Sequence, residues 1–151
     1  MLKGISPRLN ADVLHALASM GHGDMLVVVD TNFPAESVAQ QTMLGHLLRI
    51  DNVSAAEAVE ALLSLMPLDT FIDDAATRME VVGAPEEMPK VQHEVQAVID
   101  RAEGKHWPLV PVERYAFYER AKEAYCVIQT GERRFYGCFT LTKGVIPPET
   151  E

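Results

Sequence analysis

Residues 21–30 read Gly-His-Gly-Asp-Met-Leu-Val-Val-Val-Asp, and the fold is decided there. Met25–Val29 is apolar without alternation, the pattern of a strand buried on both faces in a mostly parallel sheet. It stops at Asp30, and Thr31-Asn32-Phe33-Pro34 is a loop signal. Upstream, Asn10 is a good helix N-cap, and Val13, Leu14, Leu17 and Met20 form one apolar stripe. Gly21 suits the left-handed position that ends such a helix. Downstream, Ser54-Ala-Ala-Glu57 is a capping box. It opens a helix with Ala58, Leu62, Leu63 and Leu65 inward, stopped by Pro67. A short strand is expected over Arg78–Val82. A longer helix is expected from Pro85 to Gly104, with Val91, Val95, Val98 and Ile99 inward. Pro108 and Pro111 keep Leu109–Val112 extended. Arg114–Lys122 reads as a helix, and Tyr125–Thr130 and Phe135–Thr142 read as strands around Gly131-Glu132. Strands alternating with helices make the class α/β, one sheet with helices on both faces.

A chain of 151 residues has the length of about one domain, and no linker or repeat divides 1–151. The tail 147–151, Pro-Pro-Glu-Thr-Glu, is expected to fray. Thirteen basic against 22 acidic side chains give a net charge of −9. That balance lacks the basic footprint of a nucleic-acid binder and is repelled by an anionic membrane. No apolar run is long enough to cross a bilayer, and the first residues lack a signal peptide's apolar stretch. Two cysteines, Cys126 and Cys138, make no disulfide framework. The expectation is a soluble cytoplasmic protein.

Nucleotide-binding glycine motifs, a nucleophile elbow and zinc-ligand pairs are all missing from the sequence. The five histidines have no ligand spacing, so neither a metal nor a cofactor is expected. His22 differs from the others in lying between two glycines. They permit a sharp turn and leave room beside the ring. The helix C-terminus before it favours the imidazolium, which can donate a proton near neutral pH. The competing reading is a surface histidine in a turn. Asp30 ends the most apolar strand, where open α/β sheets bind ligands; alternatively it caps the amides of Asn32 or Phe33. Asp69, in Leu68-Asp69-Thr70, is either a second site carboxylate or part of a post-helix turn. Arg114-Tyr-Ala-Phe-Tyr118-Glu-Arg120 offers aromatic faces and an Arg fork to an uncharged polyhydroxy ligand, or else is a partly buried amphipathic helix. Tyr136-Gly137 sets a phenol beside a glycine that allows close approach. Cys138 reads as a small buried apolar group rather than a nucleophile.

Taken together, these stretches resemble the family of small sugar mutarotases that contains fucose mutarotase and ribose pyranase, the FucU/RbsD family. The resemblance runs from Leu2-Lys-Gly-Ile-Ser-Pro7 to Lys143-Gly-Val145. It is carried by Met20–Asp24, Asp30 with Phe33-Pro-Ala35, Leu68–Thr70, Arg114–Ala121, Thr130–Arg133 and Tyr136-Gly137. Phe117–Ala121 is closer to the fucose branch. The resemblance implies a three-layer α/β/α domain that interconverts the α and β anomers of a free monosaccharide, L-fucose first. It makes His22 the proton donor and Tyr118 a second catalytic group. Asp30, Asp69, Arg114, Tyr136, Gly137 and Cys138 become substrate-binding positions. It also implies a homo-oligomer, commonly a decameric ring, in which a neighbouring subunit completes the site. Two positions depart from the family pattern: Cys138 stands for an Asn, and Asn32 where fucose-type members often have His. These keep open a ribose pyranase or other sugar mutarotase, and a sugar-binding, transport-associated protein without catalysis. Mutarotation needs one proton delivered to the ring oxygen and one taken from the anomeric hydroxyl. The expected acid is His22. The base is Tyr118 or a water held by Asp30 or Asp69, with Arg114 and Tyr136 orienting hydroxyls.

Overall fold

The computed structural model describes residues 1–149. The frayed tail expected over 147–151 therefore falls partly outside the described residues; Pro147, Pro148 and Glu149 are exposed and irregular. The elements follow in the order α1 (Ala11–Ser19), β1 (Met25–Val29), α2 (Ala35–Ala39), β2 (Leu48–Ile50), α3 (Ala55–Leu63), β3 (Ala76–Met79), α4 (Lys90–Glu103), β4 (Val110–Val112), α5 (Arg114–Lys122), β5 (Cys126–Thr130) and β6 (Phe139–Thr142). All six strands join one sheet in the order β2-β5-β1-β6-β3-β4.

The residues of β1 feed both faces of the sheet, as a run without alternation demands. Leu26 and Val28 enter one apolar cluster with α1, α3 and α4. Val27 and Val29 enter a second with Phe33, α2 and the Phe117–Ala121 face of α5. The result is three layers, helix, sheet and helix. The sheet is mostly parallel, as expected: β1 to β5 all run one way, and β6 alone is reversed, antiparallel to both β1 and β3. Consequently β5 and β6 do not pair with each other, because β1 lies between them.

Several boundaries differ from those read from sequence, each for a local reason. The final strand begins at Phe139 instead of Phe135. Before it, Glu132 accepts the amides of Arg133 and Arg134, and Asp30 accepts that of Gly137, so 133–137 is a turn and no ladder forms. Tyr136 within it has φ 64°, which a strand would not allow. The third strand lies at Ala76–Met79, short of Val82, because Val81 and Ala84 close a tight bridge around Gly83. The long helix begins at Lys90, after Pro89, and not at Pro85. The guanidinium of buried Arg78 donates to the carbonyls of Pro85 and Glu87 and keeps that segment out of the helix. Leu65 lies beyond the end of α3 and is exposed. The short elements α2 and β2 carried too few periodic residues to be read.

The turn after α1 also differs. Its helix ends on Met20 in extended conformation, and the left-handed glycine is Gly23, φ 86°, not Gly21. The carbonyls of Leu17 and Met20 are taken by the ammonium of Lys143. The negative end of α1 is thus neutralised by a lysine.

Candidate functional site

The sequence-derived site residues fall into two groups at opposite ends of β1. The first lies beyond its carboxyl end. There Asp30, Asn32 and Phe33, from the loop after β1, line a cavity of about 200 Å³. Met79 and Val82 come from the end of β3 and the turn after it. Arg114 and Tyr118 come from α5, and Phe135, Tyr136 and Cys138 from the approach to β6. Five of the eight expected residues thus line one cavity. Gly137 sits behind it, with its amide on Asp30 Oδ2 at 3.0 Å. No Cβ fits at Gly137, where one would stand 2.8 Å from Glu132 Cγ.

The aromatic helix is placed by its first turn. Glu113 accepts the amides of Tyr115 and Ala116 and so caps α5. One turn apart, Arg114 and Tyr118 share a face, and Arg114 Nε donates to the Tyr118 hydroxyl at 2.9 Å. The guanidinium also lies over the Tyr115 and Tyr118 rings, 5.3 and 5.5 Å from their centroids. A fixed positive charge therefore faces the phenol oxygen on which negative charge would develop if Tyr118 gave up its proton. Phe33 meets the Tyr118 ring edge-on and fixes its tilt. The Tyr136 hydroxyl accepts the Val82 amide at 3.2 Å, and buried Gln92 donates to the Tyr136 carbonyl, so both ends of this left-handed residue are tied. Asn32, Phe33, Met79, Val82 and Phe135 had no place among the sequence-derived site residues. Asn32 and Phe33 had their place beside Asp30 in the family pattern as a signal, Phe135 its adjacency to Tyr136, and Met79 and Val82 had none.

Asp30 is buried, and its carboxylate closes the loop as well as facing the cavity. Oδ1 accepts the amides of both Asn32 and Phe33, at 3.0 Å each. Glu132 stands behind the cavity with its carboxyl bound by the Arg134 side chain and by the amides of Ala55, Arg133 and Arg134. Burial opposes its ionisation, but the Arg134 hydrogen bonds and these amides outweigh burial and hold it below the usual carboxylate range.

The second group lies at the amino end of β1. His22 Nε2 donates to Asp69 Oδ1 at 3.1 Å. A carboxylate only accepts, so Nε2 carries the proton and Nδ1 is the nitrogen left for chemistry. The same Asp69 oxygen accepts the Phe71 amide at 3.0 Å. That amide first, and then His22, hold the Asp69 carboxyl below its ordinary value. The Phe71 ring lies 5.3 Å from the imidazole. The two groups do not meet within one chain, because the five residues of β1 alone span about 16 Å.

Among the described residues, no group of three His, Cys, Asp or Glu side chains could hold a metal ion, and no helix is long and apolar enough to cross a membrane.

Residues 3–146 match the model of the RbsD / FucU transport protein family. A fucose mutarotase of Danio rerio is 42% identical over 156 residues, covering 100% of this chain and 98% of that one. The crystal structure of protein Atu2016 superposes with a TM-score of 0.95 at 65% identity, covering 97% of each chain. The fucose mutarotase of Streptococcus pneumoniae, solved in complex with L-fucose, gives a TM-score of 0.86 at 35% identity, over 97% of this chain and all of that one. With the whole length matched in sequence and in fold, this chain belongs to the RbsD / FucU family.

Proposed function

We propose that this chain is a sugar mutarotase acting on L-fucose, a single domain that interconverts the sugar's α and β anomers. The observation that carries the reading is the cavity itself, where the Tyr118 phenol, held by Arg114, shares about 200 Å³ with Asp30. That volume suits one sugar ring. Arg114, Tyr136 and Asp30 provide directed partners for hydroxyls. Met79, Val82 and Phe135 provide an apolar wall. L-Fucose is a 6-deoxy sugar, and its methyl finds that wall where a hexose would bury a hydroxymethyl group; each apolar carbon so buried is worth about 0.8 kcal/mol. Full-length relatives named fucose mutarotase support the same substrate.

The reaction needs an acid at the ring oxygen and a base at the anomeric hydroxyl. The C1–O5 bond breaks as O5 gains a proton and the anomeric oxygen loses one. The open aldehyde turns about C1–C2, and closure on the other face returns both protons. His22 serves as the acid in its imidazolium form: Nδ1 gives its proton to O5, while Nε2 keeps its own proton on Asp69, which holds the ring. Tyr118 serves as the base, taking the anomeric proton as the phenolate paired with the Arg114 guanidinium. Gly137 lets the Asp30 loop pack close, and Cys138 lies on the cavity floor.

Because His22 sits at the far end of β1, the acid comes from a second copy of the chain. Both ends of β1 carry exposed apolar side chains: Val82, Tyr115 and Phe135 around the cavity, Met43, Phe71 and Ile72 around His22. Two different patches joining head to tail make a heterologous contact, which gives a ring when the rotation between neighbours closes. This supports a homo-oligomer, with the family's decamer as its size. Two free buried thiols, Cys126 and Cys138, fit a reducing cytoplasm.

Saturation transfer between anomeric protons tests the reading across L-fucose, D-ribose, D-galactose and D-glucose. Exchange is expected to be fastest with L-fucose and to fall about 10²–10⁴-fold in His22→Ala, the contribution of one positioned acid. Binding without exchange in the wild type would instead make the protein a sugar-binding module, and preference for D-ribose would make it a pyranase.

A further inference from the structure

The Asp30 carboxylate has no acceptor position to spare. Oδ1 takes the Asn32 and Phe33 amides, and Oδ2 takes the Gly137 amide at 3.0 Å and the Cys138 thiol at 3.5 Å. A carboxylate offers about four lone-pair positions, and these four donors fill them. Three of the donors are backbone amides, fixed by the loop after β1 and the turn before β6. The fourth is a thiol, a weak donor, and it makes the longest contact of the set.

We propose that Cys138 is a specificity-determining residue: its S–H occupies the Asp30 Oδ2 position in the free protein and yields it to one hydroxyl of the bound monosaccharide. The inference rests on the sugar-mutarotase reading and adds to it the step by which Asp30 becomes available. The thiol stays protonated and able to donate, since burial first and then the neighbouring Asp30 charge push its pKa well above the ordinary value. The exchange is uneven in the ligand's favour. A hydroxyl bound to a carboxylate makes a short charge-assisted bond, about twice as strong as a neutral one. The released thiol loses little, because a buried cysteine behaves as a small apolar group, and Phe33 and Met79 of the same cavity are apolar too. A sugar lacking a hydroxyl at that point cannot displace the thiol and gains nothing from Asp30.

Two side-chain changes test this with opposite signs. Cys138→Ala removes the competing donor, and KM for L-fucose should fall roughly two- to five-fold; Cys138→Ser installs a stronger donor, and KM should rise by about the same factor. Both residues are smaller than cysteine, so a packing role alone would move KM the same way in both, and that result overturns the proposal. The unaltered protein gives a second readout. In the Raman spectrum the Cys138 S–H stretch should shift to higher wavenumber on saturation with L-fucose, as the hydrogen bond is lost. The Cys126 band should stay in place, since that thiol lies in the core away from the cavity. Binding and exchange of L-fucose with an unmoved Cys138 band overturns the proposal and leaves the mutarotase reading standing. Absence of both binding and exchange removes the two together.

Discussion

His22 takes its orientation from Asp69, 47 positions away in the chain. Asp69 is in turn held by the Phe71 amide, so the imidazole is aimed by a loop and not by the glycines beside it. The glycines supply the turn; the carboxylate selects the ring nitrogen that carries the proton. An amide in its place carries no charge to pair with the imidazolium that donation from Nδ1 requires. Asp69→Asn should therefore lower kcat for anomer exchange about ten- to a hundred-fold while KM stays near the wild-type value. Saturation transfer at several sugar concentrations separates the two. A fall in affinity with kcat unchanged would assign Asp69 to sugar binding alone. The same scale explains Asp30, where both sequence readings hold at once: it caps Asn32 and Phe33, and it lines the cavity.

Among the elements, the turn between β5 and β6 supplies three cavity residues, as many as the loop after β1, and was least legible in the sequence. Glu132, buried, bridges the Ala55 end of α3 to Arg134, and Arg134 reaches on to Glu94 of α4 at 2.7 Å. The Glu94 carboxyl, like that of Glu132, lies below its ordinary value, in its case chiefly through the Arg134 hydrogen bond. Groups whose native pKa is below the unfolded value bind protons more tightly in the unfolded chain. Their contribution is complete above the ordinary value of 4.5 and is lost as pH falls through the native values. Glu132→Ala should cost about 2 kcal/mol at neutral pH, less than a fully buried pair because Arg134 is partly exposed, and it should flatten the loss of stability on acidification. Urea midpoints at neutral and acid pH measure both effects; an unchanged midpoint at neutral pH would deny the bridge any role in stability. The strong local signals survived folding intact: the Ser54–Glu57 capping box, the Asn10 cap and the Val91–Ile99 stripe are all present. What could not be read was whatever long-range partners decide. Phe135–Tyr136 has strand-forming side chains, but the amides that flank it are claimed, those of Arg133 and Arg134 by Glu132 and that of Gly137 by Asp30, which comes from the far end of β1. Pro85 looked like a helix start because Arg78, which holds that segment open, lies on another element. Composition and order were enough for the class of fold, whereas the reversal of β6 depends on which sheet position stays vacant after β1 and β5 pair.

On the scale of the whole molecule, the separation of His22 from the cavity makes a direct test of the assembly possible. His22→Ala and Tyr118→Phe break opposite ends of the same strand. Each alone should be nearly inactive, but subunits mixed and allowed to exchange should regain part of the wild-type rate, because some sites then pair an intact acid with an intact cavity. Light scattering should find a homo-oligomer throughout. Recovery that never exceeds the sum of the two variants, or a monomer at working concentration, would mean that each chain works alone. One further consequence follows from Lys143. Its ammonium holds the end of α1, its backbone pairs with Gly23, Asp24 and Leu68, and the next amide binds the Pro67 carbonyl. The histidine turn and the aspartate loop are thus joined by a residue that the ribosome adds after all six strands have been made. A nascent chain can begin to fold its sheet early, but the turn that carries His22 stays unbraced until translation has passed the last strand.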